Sequence, residues 1–156
     1  MKYKYVLTEE PAEGKLVYSQ DEYSFDTENQ RAASEPVASI AIAKTLQVEF
    51  GIDSGTLLHI WGYSPREAWQ KAEITPPNSM PGQVTIIDDE GEDFGAGFSY
   101  SELNLKNEKV LFDENSGWIS IGSSDAKTAI EICKGIILGF SEDKLACVWL
   151  CPTFES

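Results

Sequence analysis

The sequence predicts a mostly β protein: a largely antiparallel sheet or two-sheet sandwich carrying one short helix. Three observations lead there. First, the stretch Ile130 to Pro152, IEICKGIILGFSEDKLACVWLCP, holds two apolar runs around a polar turn, Ser141-Glu142-Asp143-Lys144, and the second run, Leu145 to Cys151, has no charged residue. A strand that apolar must be covered on both faces and belongs centrally in a sheet. Second, shorter alternating runs recur along the chain, bounded by Gly, Pro, Asn, Asp and Ser. Third, the connections between them are too short for many parallel crossovers. The competing reading is an α+β domain with helices at 35–45 and 125–135 on an antiparallel sheet.

Taken in order, Lys4–Thr8 and Leu16–Tyr18 read as short strands joined by a turn at Glu9–Gly14, punctuated by Pro11 and Gly14. Residues 19–36, polar and acidic, read as a surface loop. In 37–50 a helix starting at a Ser34 cap competes with a strand, and only Thr45–Phe50 alternates cleanly, with Leu46, Val48 and Phe50 on one face. Gly51–Gly55 makes a hairpin loop and Thr56–Gly62 the return strand, with Leu58 and Ile60 on one face and Leu57, His59, Trp61 and Tyr63 on the other. Ser64-Pro65-Arg66-Glu67 carries helix-start chemistry: a Ser cap, Pro at the first position and Glu at the third. It predicts a helix over Pro65–Ala72 that points Trp69 into the core and ends before Pro76, Pro77 and Pro81. Gln83–Ile87 is a strand, the glycines at 95 and 97 suggest a bulge or loop, and Val110–Phe112 pairs with Trp118–Ile121 around a turn-rich loop. At 125–135 the β-branched residues favour strand over helix.

The chain of 156 residues, 42% hydrophobic and 11% aromatic, fits one globular domain over 1–156. There is no internal repeat, low-complexity segment or dividing linker. No stretch approaches the ~18 apolar residues of a membrane span. The apolar run behind the opening lysines is too short for a signal peptide, so a cytoplasmic protein is expected.

With 12 Lys plus Arg against 26 Asp plus Glu, the net charge is −14. Such a chain repels nucleic-acid phosphates and anionic membranes, which removes both as expected partners. It would associate quickly with a basic protein, although solubility alone also accounts for the charge. The carboxylates nominated for such contact are Asp88, Asp89, Glu92 and Asp93, with Asp113, Glu114, Asp21, Glu22 and Asp26 as further candidates. Asp88–Asp93 places Gly91 fourth rather than sixth, unlike an EF-hand loop, so a solvated turn is expected there.

Cys133, Cys147 and Cys151 suit a reducing compartment. Cys147 and Cys151 lie ~13 Å apart along a strand, too far for a disulfide or a shared metal. A turn at Glu142-Asp143 sets position 134 opposite 151 and 138 opposite 147, leaving Cys133 facing neither, so three free thiols are expected. No Cys/His set has zinc spacing, and no phosphate-cradling or nucleophile-elbow motif is present. No cofactor is expected. His59 is the only histidine. Its aromatic neighbourhood, with Trp61, Tyr63 and Trp69, is the candidate ligand site.

Three functions follow as expectations. The first is a small acidic, non-catalytic binding protein that captures or neutralises a basic protein, in the manner of an immunity protein or inhibitor. The second is a small-molecule or sugar-binding β-domain using His59, Trp61, Tyr63 and Trp69. The third is an enzyme with a carboxylate acid/base pair that the sequence does not locate. No oligomeric state is assigned.

Overall fold

A computed structural model describes residues 1–87, 99–101, 105, 109–123 and 125–156. Two sheets face each other across a shared core. The first is eight-stranded, in the order β1 (Lys2–Leu7), β8 (Met80–Ile87), β12 (Thr128–Cys133), β13 (Ile136–Ser141), β14 (Lys144–Leu150), β11 (Ile119–Gly122), β10 (Val110–Phe112), β7 (Gln70–Lys71). The second is seven-stranded: β15 (Thr153–Glu155), β2 (Lys15–Ser19), β3 (Ser24–Glu28), β6 (Leu57–Tyr63), β5 (Leu46–Gly51), β4 (Val37–Ala43), β9 (Ser99–Ser101). Buried residues of both sheets, among them Tyr18, Ile40, Phe50 and Ile60 from one and Ile130, Leu138 and Val148 from the other, form one continuous cluster. The expected mostly β, two-sheet architecture is therefore what the chain adopts, and the α+β alternative is not: 37–43 and 128–133 are strands. Pairing is mainly antiparallel, with parallel contacts where β7, β9, β12 and β15 add to neighbouring strands.

The uncharged run sits as expected inside a sheet, with β14 between β13 and β11. Its two faces are both covered, by different means. Leu145, Val148 and Leu150 enter the main core, whereas Cys147 and Trp149 join Ala129 and Ile137 in a smaller cluster on the outer face, roofed by Ile74, Trp118 and Ala126.

The stretch 130–152 is not one hairpin but part of a three-strand meander, because Gly135 (φ +84°) supports a second turn at Lys134-Gly135. A bulge between Gly139 and Phe140 also shifts the expected register, so Gly139 faces Cys147 and Leu138 faces Val148. The extra residue lets Leu145 and Val148 share a face despite their odd spacing. All three cysteines are free.

Four further expectations are corrected. β1 and β2 do not form a hairpin: β1 pairs with β8 and β2 with β3, in different sheets. The acidic stretch 19–36 contains β3, whose Phe25 and Thr27 are buried between exposed Asp26 and Glu28. The helix over Pro65–Ala72 is a single 3-10 turn, Arg66–Ala68, with no side-chain cap. The Ser64 hydroxyl is committed elsewhere, accepting the Trp69 indole N–H at 3.0 Å, and burying Trp69 draws the following residues into the extended β7. Finally, a bulge at Leu58 sets Leu57 into the core while His59 points outward, so these two do not share a face. Asp88, Asp89, Glu92 and Asp93, together with the glycines at 95 and 97, lie outside the described residues.

Candidate functional site

The outer face of β6 presents His59, Trp61 and Tyr63 in succession, since alternate residues of a strand point the same way. Register fixes their neighbours. Glu49 of β5 lies opposite His59, and Ser39 of β4 lies opposite Glu49. On the other side Ser24 of β3 lies opposite Tyr63. Together with Glu22 and Asp26, all of these except Ser39 line an open depression of about 510 Å³. Three of the expected ligand residues, His59, Trp61 and Tyr63, are thus brought together. Trp69 is not: it is 8% exposed and buried between the sheets, in keeping with its expected core position and not with its place among the candidate ligand residues.

The side chains are held by specific contacts. Trp61 donates its indole N–H to Ser39 Oγ at 3.3 Å, which fixes the ring while leaving part of it exposed. Tyr63 meets Tyr23 edge-on, with ring centroids 6.4 Å apart. The Tyr63 carbonyl accepts a short hydrogen bond from the Thr45 hydroxyl. His59 Nε2 lies 3.1 Å from Glu49 Oε2, and its side chain is only 12% exposed. Burial lowers the His59 pKa below its usual value and outweighs the opposing pull of Glu49 and Asp26. At neutral pH the ring is therefore neutral, with Nε2–H donating to the carboxylate and Nδ1 left as an acceptor.

This predicts a definite pH dependence. A depressed native pKa means that the unfolded chain binds the extra proton first, so stability is full above about pH 6.5 and falls as pH drops toward the native value. Wild type should lose more stability than His59→Gln between pH 7.5 and 5.5, measured by urea unfolding. The difference between the two proteins isolates His59 from the general relief of acidic repulsion. A smaller loss in wild type would show that Glu49, rather than burial, governs the ring.

The arrangement does not bring Ser39 and His59 together as a nucleophile and its base. Ser39 and His59 stand on either side of Glu49, two strand spacings or ~9.6 Å apart, whereas a nucleophile and its base need direct hydrogen-bond contact. Burial raises all three thiol pKa values, which favours the protonated form. Among the described residues no group of three or more His, Cys, Asp and Glu side chains is placed to hold a metal. No helix among the described residues is long and apolar enough to cross a membrane.

The other nominated carboxylates divide. Glu22 and Asp26 line the depression. Asp113 is buried and accepts backbone N–H groups from Ile74, Asn115 and Ser116, bonds that lower its pKa and tie the β10–β11 loop to the segment after β7. Glu114 pairs with Lys71 at 3.0 Å. Asp113 thus has its carboxylate engaged by the fold's own backbone.

A second cleft of about 840 Å³ opens beside the first, bounded by residues 30–35, Pro11–Glu13 and the start of β6, with His59 on the wall between them. Sequence reasoning missed Glu49, Ser39 and Ser24 as site residues. The signal for Ser39 and Glu49 was present in the alternation of β4 and β5, but the bulge at Leu58 hides which of them meets His59, and Ser24 lies on β3, in a stretch read as a loop. No protein-family model matches the chain, and no curated protein matches it.

Proposed function

We propose that this is an acidic binding protein, without catalysis of its own, that captures a basic protein, and that the depression on β6 receives one of the partner's cationic side chains. The observation that carries this is the composition of the depression: three carboxylates, Glu22, Asp26 and Glu49, set around the exposed rings of Trp61 and Tyr63. Aromatic faces attract cations through their quadrupole, by about 0.5–2 kcal/mol depending on desolvation, and guanidinium groups stack on them readily. Neighbouring carboxylates add charge-assisted hydrogen bonds. The net charge of −14 supplies long-range steering toward such a partner. A cytoplasmic setting fits the buried free thiols.

The probe is a short oligo-arginine peptide, with an oligo-glutamate peptide as control, followed through the Trp61 indole resonance and tryptophan fluorescence. Saturable binding is expected for the cationic peptide alone, weakened at least tenfold in Trp61→Ala and in the Asp26→Asn/Glu49→Gln double variant. Affinity should fall with salt, because exposed charges are screened beyond ~8 Å at physiological ionic strength. Binding unaffected by these substitutions would refute the depression as the contact. A small-molecule or sugar ligand is the second reading, favoured by the partly exposed Trp61 ring, and binding that neither depends on salt nor discriminates between the two peptides would favour it. The enzyme reading has no separate observation in its support.

A further inference from the structure

We infer that β1 pairs edge to edge with β1 of a second copy of this chain, making an antiparallel two-fold dimer. β1 is the terminal strand of the eight-stranded sheet and pairs on one side only, with β8. Thr8 donates its N–H to the Pro81 carbonyl, continuing that ladder, so the even-numbered residues of β1 direct their backbone groups toward β8. The odd-numbered ones point away. Tyr3 uses its outward N–H on the Asp143 carbonyl at 2.9 Å, in the turn between β13 and β14. Tyr5 and Leu7 have no such partner among the described residues. The edge is therefore closed at its beginning and open over Tyr5–Leu7.

The open part is also the most apolar exposed stretch among the described residues. Val6 is 66% exposed, and Tyr5 and Leu7 are exposed beside it. A protein that leaves an apolar edge strand bare invites pairing, which is ordinarily blocked by charge, proline or a covering loop. None of these stands at Tyr5–Leu7 among the described residues.

The occupant follows from the sequence of the edge itself. MKYKYVLTEE begins with Lys2 and Lys4 and ends with the exposed Glu9 and Glu10. Run antiparallel against itself, the edge brings Lys4 of each copy nearest the acidic end of the other, Lys2 and Tyr3 lying beside the turn that carries Asp143. A foreign strand would need that same polarity by coincidence, whereas a second copy has it automatically.

The open groups also choose the register. Pairing Tyr5 with Leu7 of the second copy, and Leu7 with its Tyr5, uses each outward N–H and carbonyl of these residues in ladder bonds. The register one step back would require the Tyr3 N–H, which is occupied. The register one step forward would require Glu9, which lies beyond the strand in a bend. In the favoured register Val6 meets Val6 on the two-fold axis as a non-hydrogen-bonded pair, with Cα atoms ~4.5 Å apart. That separation accepts a disulfide.

The test uses the full chain. Sedimentation velocity from about 10 μM to about 1 mM, the range of micromolar to millimolar dissociation constants, should show a monomer–dimer equilibrium. Val6→Lys, a change at a solvent-exposed side chain, should remove it while leaving the far-UV spectrum unchanged. Val6→Cys should form a covalent dimer under mild oxidation at least tenfold faster than Thr8→Cys, which in this register faces Lys4 of the second copy. Wild type, whose Cys133 and Cys147 are buried and whose Cys151 is only partly exposed, should form none. A wild type that stays monomeric to about 1 mM, a dimer that survives Val6→Lys, or Thr8→Cys cross-linking as fast as Val6→Cys would each overturn the inference.

Discussion

Trp69→Ala is expected to cost about 5 kcal/mol, the upper end of the range for a core aromatic. The indole wedges between the sheets. Its ring lies 4.8 Å from Tyr18 and 5.9 Å from Phe25, both of the seven-stranded sheet, and 5.3 Å from Phe112 of the eight-stranded one. Phe154 closes the cluster at 6.5 Å, and the Arg66 guanidinium caps Phe112 and Phe154 from outside. Deleting the ring leaves a cavity walled by rigid rings on strands that cannot collapse inward without moving a sheet. It also strips Ser64 of its indole donor.

Trp149→Ala should cost less, about 3 kcal/mol, because Trp149 belongs to the smaller outer cluster, whose partly exposed roof can settle into the space. Urea unfolding of the two variants decides the matter. A loss for Trp69→Ala no greater than for Trp149→Ala would mean that the aromatic cluster does not join the sheets.

Gly62→Ala should cost about 3 kcal/mol and abolish binding at the depression. Gly62 lies in β6 between Trp61 and Tyr63, at φ +125°, where an L-residue is strained by about 1–3 kcal/mol. A Cβ there would also run into the Thr45 carbonyl oxygen and lie 3.3 Å from Leu46 Cα. Both obstacles are backbone, so relief requires β5 to move away from β6. That movement separates Glu49 from His59 and shifts the Trp61 ring off Ser39. Gly117→Ala provides the control. Gly117 also has a positive φ, +84°, but a Cβ there meets nothing within 4 Å. It should show the conformational cost alone, roughly 1 kcal/mol. Equal losses for the two variants, or an unchanged Trp61 indole resonance in Gly62→Ala, would show that close approach of the backbones is unimportant.

The candidate site was half legible in the sequence. Alternation along 57–63 placed His59, Trp61 and Tyr63 on one face because their separations are even, and no bulge intervenes between them. It failed at Leu57, since the bulge at Leu58 reverses the face of everything before it. The same slip conceals Glu49: with Phe50 opposite Leu57 and no bulge, Glu49 would lie against Leu58, not His59. Trp69 was read both as a core residue and as a ligand residue, and only the first matches its burial.

What the sequence by itself determined is what depends on local composition and period. It determined the strand character of the cleanly alternating runs and favoured strand at 125–135, while leaving 37–44 open between helix and strand. It also determined the double burial of the uncharged run that begins at Leu145 and contains Trp149, and the acidity of the whole. Tertiary structure alone decided which strands are partners, where bulges shift the register, and which of two sheets each strand joins. It sent β1 and β2 to different sheets, and it replaced a well-signalled helix by one turn so that Trp69 could reach the core. The physical reason is one of magnitude. A helix cap contributes about 1 kcal/mol, and burying a tryptophan several times that. Where local preference and burial conflict, burial prevails, and burial is a property of residues far apart in the chain.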